Sequence, residues 1–461
     1  MNPYKEVTKV HSMRKAGAPR PWLTRGGVAG GLLGLVLTTA ACGGDSGGPA
    51  AADGGTTRED GPVSMRFSWW GSDTRHAATQ QLIDLYQSTN EGVTLEGDFT
   101  GFGDYWDRLA TSTAGNQAPC IMQQDTRYVR EYADRNALLD LTPYIEDGTI
   151  DTTNLDENVA TTGQIEDATY AIPTGVNAFS VVVDPQVYAQ AGVPVPDDTT
   201  WTWDSMIETA AQVTEATPDG VWGMQAMGLN GGDTNFEIYA REQGEALFDE
   251  DGQIGFTRET LVDWWNLEKT ASESGAEPPP ATTVEVFGGG IDQALLATGR
   301  GASGFWWTNE LPALTSGAGR ELQLMRFPSE SGDGQTGMYL KPAMFWAISS
   351  SCESPQEAAL FINWLINSPE AVEILKADRG LPVNTELREQ ITPSLDQPNQ
   401  AAAAFIEEIT PDLGEPPALP PQGAGEVQAI LQRLTEQVLF DQVSVEDAAD
   451  QFISEVQSAI A

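Results

Sequence analysis

The pattern of apolar and polar residues predicts alternating strands and helices early in the chain. Residues 63–69 and 93–99 alternate between apolar and polar side chains, which is the period of a strand with one buried face. Residues 77–87 and 105–113 instead have the apolar spacing of helices, and 120–123 reads as a short buried strand. This order predicts an α/β domain with a mainly parallel sheet.

The same rhythm returns later in the chain. Apolar or β-branched runs predict strands at 179–183, 301–307 and 344–348, and a helix is predicted that follows Thr202 and runs through Val213. The amphipathic pattern of 426–461 predicts a helical C-terminal region.

Two further helices carry start signals. Ser354-Pro355-Gln356-Glu357 combines a Ser at the N-cap, a Pro at the first helical position and a Glu three residues after the cap. Ser368 is followed in the same way by Pro369 and Glu370. We therefore predict helices that begin at 355 and 369.

The N-terminus has the pattern of a targeting segment. Residues 1–25 carry six basic side chains and one acidic one, and 26–41 is an uncharged apolar run. That run is shorter than the roughly 20 residues of a membrane span, and it ends in small residues before Cys42. We predict a lipoprotein signal peptide over 1–41, lipidation at Cys42 and a flexible tether over 42–62. The alternative is an ordinary cleaved signal peptide followed by an incidental Cys.

The charge of the chain restricts its partners. The formal net charge is −43, from 24 Lys and Arg against 67 Asp and Glu. Because six of the basic residues fall in the predicted signal peptide, the remaining chain is more acidic still. A surface of this sign repels nucleic acid, so we expect no nucleic-acid partner.

Two cysteines remain once Cys42 is assigned to the lipid. Cys120 and Cys352 form an even pair, and disulfides persist in the oxidising compartment outside the cell. The sequence cannot show whether the two lie close together. A disulfide and two buried thiols both stay open.

The sequence contains only weak matches to the motifs of enzymes and metal sites. Gly44-Asp45-Ser46-Gly47-Gly48-Pro49 matches a serine-protease nucleophile segment, but the only His before it, His11, lies in the predicted signal peptide. His76 is the one other histidine, and Cys120 and Cys352 lack the spacing of zinc ligands. We therefore expect no catalytic residue, no metal and no cofactor.

Tryptophan placement is the feature that points to a ligand. Several of the 13 tryptophans come in adjacent or near-adjacent pairs, at 69–70, 201/203, 264–265 and 306–307. Neighbouring strand residues face opposite sides, so one Trp of a strand pair can fill the core while the other faces a cleft. Flat aromatics cover the apolar faces of sugar rings, and polar side chains pair with the hydroxyls. The sequence thus predicts a sugar-binding cleft, with core packing as the alternative for any single Trp.

Several segments together resemble the family 1 extracellular solute-binding proteins. The likeness runs from Met65 to near the C-terminus, and the segments that carry it are Phe67–Asp73, Ala118–Asp125, Asn136–Pro143, Tyr170–Asn177, Thr202–Asp204, Gly304–Trp307 and Ser354–Ala359. Two positions depart from the family pattern. Cys120 stands where the family commonly has Asp, and Val183-Asp184-Pro185 stands where it often has Tyr-Asn-Lys.

This resemblance implies a periplasmic-binding-protein-like α/β fold, with two α/β lobes, a hinge and a ligand cleft between the lobes. The first lobe is expected over 63–174 and 329–382, and the second over 175–328 and 383–461. Ligand would stabilise the closed form because it touches both lobes.

The resemblance also implies a function. The chain would be the sugar-binding component of an ABC importer, a monomer lipid-anchored at the extracellular face of the cell membrane. It would deliver a mono- or oligosaccharide to permease subunits that work with a cytoplasmic ATPase.

The expected ligand contacts follow from the ends of the predicted strands and from the implied crossings between lobes. They are Trp70, Asp73, Arg75, Gln124, Asp125, Asn177, Trp306, Trp307, Tyr339 and Glu426. Three alternatives stay open at this point: a binding protein for another polar solute, a lipid-anchored carbohydrate hydrolase, and a sensor lobe for a membrane kinase.

Overall fold

We describe a computed structural model of the chain, which covers residues 61–249 and 251–461. The predicted signal peptide, Cys42 and nearly all of the predicted tether lie outside these residues. No helix in the described part of the chain is both long and apolar enough to span a membrane.

Twelve strands form the sheets of the described chain. In chain order they are β1 Val63–Trp70, β2 Val93–Thr100, β3 Ile121–Gln124, β4 Gln164–Ile165, β5 Ala168–Thr169, β6 Ile172–Pro173, β7 Gly175–Val183, β8 Ser303–Trp307, β9 Gln323–Met325, β10 Leu340–Pro342, β11 Phe345–Ile348 and β12 Leu381–Pro382.

Sixteen α-helices pack around these strands. They are α1 Asp73–Thr89, α2 Phe102–Ala114, α3 Thr126–Asp134, α4 Thr142–Glu146, α5 Pro185–Ala191, α6 Trp203–Ala216, α7 Gly232–Glu242, α8 Arg258–Glu273, α9 Pro280–Gly288, α10 Leu311–Ala318, α11 Pro355–Asn367, α12 Pro369–Leu375, α13 Thr385–Ile391, α14 Gln397–Ile409, α15 Val427–Leu439 and α16 Val445–Ile460.

The first lobe is built on a five-stranded sheet with the order β2-β1-β3-β11-β6. β1 pairs in parallel with β2 and β3, as the strand–helix–strand rhythm predicts. β11 returns from much later in the chain and is antiparallel to both β3 and β6. The first lobe is therefore assembled from two separate stretches of sequence.

The second lobe is centred on β7, all nine residues of which are buried. The first half of β7 pairs with β10 and β12, and the second half pairs with β8 and β9. Because the first half of this strand contacts segments that lead back to the first lobe, β7 belongs to both the hinge and the second core.

The hinge is held by backbone hydrogen bonds between crossing segments. The Thr174 N–H, between β6 and β7, donates to the Met344 carbonyl at 2.9 Å. The Ala343 N–H, between β10 and β11, donates to the Gly175 carbonyl at 2.8 Å. The chain thus passes between the two sheets at adjacent points.

The helix starts agree only in part with their sequence signals. α11 and α12 begin at Pro355 and Pro369 as expected, and Ser368 caps α12 by accepting from the Ala371 N–H. Ser354 makes no side-chain cap hydrogen bond. The Glu357 carboxylate accepts a 3.0 Å hydrogen bond from the Tyr86 hydroxyl.

The C-terminal region is two helices rather than one. α15 ends at Leu439 and α16 begins at Val445. Asp441 adopts a left-handed backbone conformation, and Ser444 caps the new helix by accepting from the Asp447 N–H. The local turn therefore overrides the continuous amphipathic pattern.

Cys120 and Cys352 form a disulfide with a Cα–Cα distance of 4.6 Å. Cys120 directly precedes β3, and Cys352 follows β11, the antiparallel partner of β3. The strand pairing therefore brings together two residues that are 232 positions apart in sequence.

Candidate functional site

A cavity with about 1140 Å³ of empty space lies between the two lobes. Its walls come from the start of α3 and Thr162 in the first lobe, the start of α7 and the end of β8 in the second, and β10 at the hinge. A fourth wall is a proline-rich segment, Pro416–Pro420, together with the start of α15.

The first-lobe wall begins where β3 ends. Asp125 caps α3, and its carboxylate accepts from the backbone N–H of Arg127 and from the guanidinium Nε of the same residue at 2.8 Å. Burial alone would raise the pKa of Asp125, but the charges of Lys341 and Arg127 lower it below its ordinary value. Asp125 is therefore a charged group that fixes the Arg127 side chain at the cavity.

The second-lobe wall is the first turn and a half of α7. Asp233 and Glu237 are one turn apart on this helix, and both line the cavity. Gly231 precedes the helix with φ +62°, and a Cβ there would meet the Phe179 ring at 2.5 Å. Only glycine fits this turn, so it allows α7 to start against the cavity.

The carboxyls of Asp233 and Glu237 are both harder to ionise than usual. Burial raises the pKa of Asp233, although the charges of Arg127 and Lys341 oppose this. Burial also raises the pKa of Glu237, against the hydrogen bond from Tyr339 and the charge of Arg241.

The hinge wall supplies Tyr339 and Lys341. The Tyr339 hydroxyl donates to the Glu237 carboxylate at 2.6 Å, and the Arg241 guanidinium lies 4.9 Å from its ring centroid. The Lys341 ammonium lies 5.0 Å from the centroid of the Trp307 ring, which is half-buried on the same cavity. An aromatic surface and charged hydrogen-bonding groups therefore meet at one place.

The proline-rich wall is fixed by arginines from both sides of the cavity. Arg130 on α3 donates from Nε to the Leu419 carbonyl at 3.1 Å. Arg241 on α7 donates to the Glu415 carbonyl, and also to the Gly337 carbonyl at 3.1 Å. This segment connects helices of the second lobe, yet it contacts the first.

Glu310 holds the backbone beside Trp307. Its carboxylate accepts a 3.0 Å hydrogen bond from the Trp307 N–H. Burial raises the pKa of Glu310 to about 7. The carboxylate therefore fixes the end of β8 from which the Trp307 side chain reaches the cavity.

The ten expected contact residues do not all meet at this cavity. Trp307 and Tyr339 line it, Asp125 directly precedes two lining residues, and Glu426 is an exposed residue between the lining residues Gly425 and Val427.

Four of the other expected contacts, Trp70, Asp73, Arg75 and Trp306, do not line the cavity. Trp70 packs in the first lobe against Tyr105 at a centroid distance of 5.1 Å. Arg75 donates from Nε to Asp378 at 2.8 Å, and Asp73, on the first turn of α1, is exposed. Trp306 is 4 % exposed in the second-lobe core.

The remaining two expected contacts are buried beside the cavity walls. Gln124 ends β3, and its side-chain amide contacts the Met122 sulfur at 3.3 Å. Its carbonyl oxygen has no hydrogen-bond partner among the described residues. Asn177 lies on β7, where it pairs with Lys341 of β10.

Arg127, Asp233, Glu237 and Lys341 line the cavity but were not among the expected contacts. Arg127 follows Asp125, which was expected from a strand end, and Lys341 follows Tyr339, which was expected from the implied crossing between lobes. Each lies two positions further on, so the same arguments could have included them. Asp233 and Glu237 had no such signal, because one more acidic pair does not stand out in so acidic a chain.

The cavity offers hydrogen-bonding groups and an indole face, which suits a polar ring compound. The described residues contain no cluster of three or more His, Cys, Asp or Glu side chains that could hold a metal ion. The arrangement is that of a binding cleft between two lobes.

A model of a family described as bacterial extracellular solute-binding protein matches residues 70–372 of the chain. This match covers more than half of the sequence, and the chain belongs to that family. The resemblance noted from the sequence and the predicted two-lobe fold are both confirmed.

Known proteins similar to the chain agree with this assignment. An uncharacterised lipoprotein in the oleD 5′ region of Streptomyces antibioticus is 23 % identical over 352 residues, covering 71 % of this chain and 72 % of that protein. A family 1 extracellular solute-binding protein from Alicyclobacillus acidocaldarius is 28 % identical, with a TM-score of 0.70 and coverage of 87 % and 99 %. A periplasmic oligogalacturonide-binding protein from Yersinia enterocolitica has a TM-score of 0.71 at 20 % identity, covering 87 % and 100 %.

Proposed function

We propose that this chain is the extracellular sugar-binding component of an ABC importer. It captures a mono- or oligosaccharide in the cavity between its lobes and delivers it unchanged to permease subunits coupled to a cytoplasmic ATPase. The observation that carries the proposal is the half-buried Trp307 ring on the cavity wall, next to the Lys341 ammonium. An apolar flat surface beside charged hydrogen-bonding groups matches the two kinds of surface on a sugar.

Closure of the lobes supplies the mechanism. A ligand that contacts Arg127 in the first lobe and Asp233 in the second stabilises only the state in which both walls are close. The hinge can allow this motion because few segments cross between the sheets, and they cross at adjacent points. No bond of the ligand is made or broken, so we propose that the chain is not an enzyme.

The similar proteins support the proposal. One is a lipoprotein, which agrees with an anchor at Cys42 and a location at the extracellular face of the membrane. Another is an oligogalacturonide-binding protein, so a protein of this fold binds a sugar-derived ligand.

The test is a screen of mono- and oligosaccharides by thermal shift and then calorimetry, using the chain from residue 43 onward. We expect one sugar class to bind, and we expect Trp307→Ala to weaken the affinity for that sugar at least several-fold. Mass spectrometry should recover the bound sugar intact. A matched control is Trp222→Ala, because Trp222 is also half-buried beneath a cation, the Arg300 guanidinium at 5.2 Å, but does not line the cavity. Binding that both variants weaken equally, or a hydrolysed sugar, would contradict the proposal.

A further inference from the structure

Four acidic or basic side chains of the described residues line the cavity, and two of them are already paired within the protein. Arg127 directs Nε and one terminal nitrogen to the two carboxylate oxygens of Asp125, at 2.8 and 3.4 Å. Glu237 accepts the hydroxyl of Tyr339 at 2.6 Å. The fork of Arg127 and one oxygen of Glu237 are therefore not available as unpaired groups for a charged ligand.

The other two, Asp233 and Lys341, have no such partner. Neither forms an ion pair or a side-chain hydrogen bond with another side chain of the described residues, although backbone N–H groups at the start of α7 support the Asp233 carboxylate. The Thr126 hydroxyl, also on the cavity wall, has no hydrogen-bond partner among the described residues either. The cavity thus presents a carboxylate and an ammonium that lack ion-pair partners among the described residues, and a hydroxyl that lacks a hydrogen-bond partner among them.

We infer that Asp233 and Lys341 set the charge of the ligand, so that the cavity selects a neutral sugar and excludes both uronic acids and amino sugars. This inference rests on the proposed function and specifies which sugars the site takes. A hydroxyl can donate to Asp233 and accept from Lys341, so a neutral sugar satisfies both groups at once.

Charged sugars leave one of these groups facing a like charge. A ligand carboxylate near α7 meets Asp233, and it cannot use the Arg127 fork without displacing Asp125. A ligand ammonium meets Lys341, whose side chain lies beside Trp307, where a ring in contact with the indole would sit. Like charges in a closed, poorly hydrated site discriminate strongly between otherwise similar ligands.

The charges around the cavity agree with this. Three carboxylates at the cavity interact electrostatically with three cationic side chains: Asp125, Asp233 and Glu237 with Arg127, Lys341 and Arg241. The charges of these six side chains sum to zero. A neutral ligand keeps that balance, whereas the addition of one charge of either sign breaks it.

The experiment compares matched sugars of equal stereochemistry: the neutral sugar, its uronic acid and its 2-amino form. We expect calorimetry to give at least about tenfold weaker binding for each charged form. Asp233→Asn should reduce the ratio of the affinities for the neutral sugar and the uronate several-fold. Lys341→Gln should likewise reduce the ratio of the affinities for the neutral sugar and the amino sugar. Asp219→Asn is the control, because it removes one negative charge from an exposed position of the second lobe.

Each outcome decides between the proposals, provided that all variants keep the unliganded melting temperature. A uronate or amino sugar that binds as tightly as its neutral form overturns this inference alone. The same holds if Asp233→Asn weakens all three sugars by one factor. If no sugar of any charge binds, the proposed function fails and the inference fails with it.

Discussion

Trp306 and Trp307 are neighbours in β8 but face opposite sides of it. Trp306 is 4 % exposed in the core of the second lobe, whereas Trp307 is half-buried and lines the cavity. The same dipeptide therefore contributes one side chain to the core and one to the cavity wall, as the alternation of side chains along a strand requires.

Substitution of the two tryptophans should have different effects, one on stability and the other on ligand binding. Trp306→Ala removes a buried aromatic side chain and should lower the free energy of unfolding by about 3–5 kcal/mol. Trp307→Ala should leave the unliganded melting temperature nearly unchanged and weaken sugar binding by on the order of 1 kcal/mol or more. Urea denaturation and calorimetry on both variants check this. An equal loss of stability would place both side chains in the core.

Two buried carboxyls should make stability depend on pH. Glu268 accepts from the Met227 and Gly228 N–H groups at 3.1 and 3.2 Å, and burial raises its pKa from 4.5 to about 7. Burial and the nearby Glu268 raise the pKa of Glu277 as well. Because the folded-state pKa of Glu268 lies above the unfolded one, its contribution to stability is complete below about pH 4.5 and is lost as the pH rises through about 7, and Glu277 contributes with the same sign.

Glu268→Gln should therefore flatten the pH dependence of the unfolding free energy. Relative to the variant, the unmodified protein should lose on the order of 3 kcal/mol between about pH 4.5 and 7. The control is Glu259→Gln, which removes an exposed carboxyl of the same helix. Parallel pH curves for all three proteins would show that Glu268 is charged in the folded state.

The Cys120–Cys352 disulfide should contribute substantially to stability. It closes a loop of 232 positions, and the loss of a disulfide typically lowers the unfolding free energy by about 2–5 kcal/mol. We expect Cys120→Ala with Cys352→Ala to shift the urea midpoint down by a matching amount. Reductant should shift the unmodified protein to the same midpoint and leave the double variant unchanged; a shift of the double variant too would point to another cause.

We predict that the protein is lipid-anchored through Cys42. Cys42→Ser should move the protein from the membrane fraction to the medium and remove the mass of the acyl groups from its N-terminal peptide. Retention in the membrane fraction without acylation would contradict an anchor at this residue.

Arg130 should matter for the residence time of the ligand. Its hydrogen bond to the Leu419 carbonyl joins α3 to the proline-rich wall, so Arg130→Ala should speed dissociation several-fold in stopped-flow or surface-binding measurements. Arg135→Ala is the matched control, because this exposed residue follows the same helix and forms an ion pair with Glu131. Unchanged dissociation in Arg130→Ala would show that the wall does not retain the ligand.

The fold was predictable from the sequence where the apolar period was strong. The alternation of 63–69 placed β1, and the start signal at Pro369 placed α12 to the residue. The C-terminal break was not predictable, because the turn at Asp441 depends on a backbone conformation that the amphipathic pattern does not record.

Residues of the candidate site could be predicted only where a local sequence pattern indicated them. Trp307 was expected from the end of a predicted strand and from tryptophan placement, and Tyr339 from the implied crossing back to the first lobe. Asp233 depends on a helix that no strong start signal announces, since α7 begins after Gly231 without a side-chain cap. Arg75 is engaged in an ion pair with Asp378, which lies 303 positions away in the sequence. The sequence pattern does not indicate such a long-range contact.

The proline-rich wall also bears on the entropy of ligand capture. Pro416, Pro417 and Pro420 have restricted φ angles and lack backbone N–H donors, so this stretch has few conformations to lose and cannot join a sheet. A wall that is already ordered contributes little entropic penalty when a ligand settles against it. The cavity can therefore use most of its contact energy for affinity, and the motion that capture requires falls on the hinge.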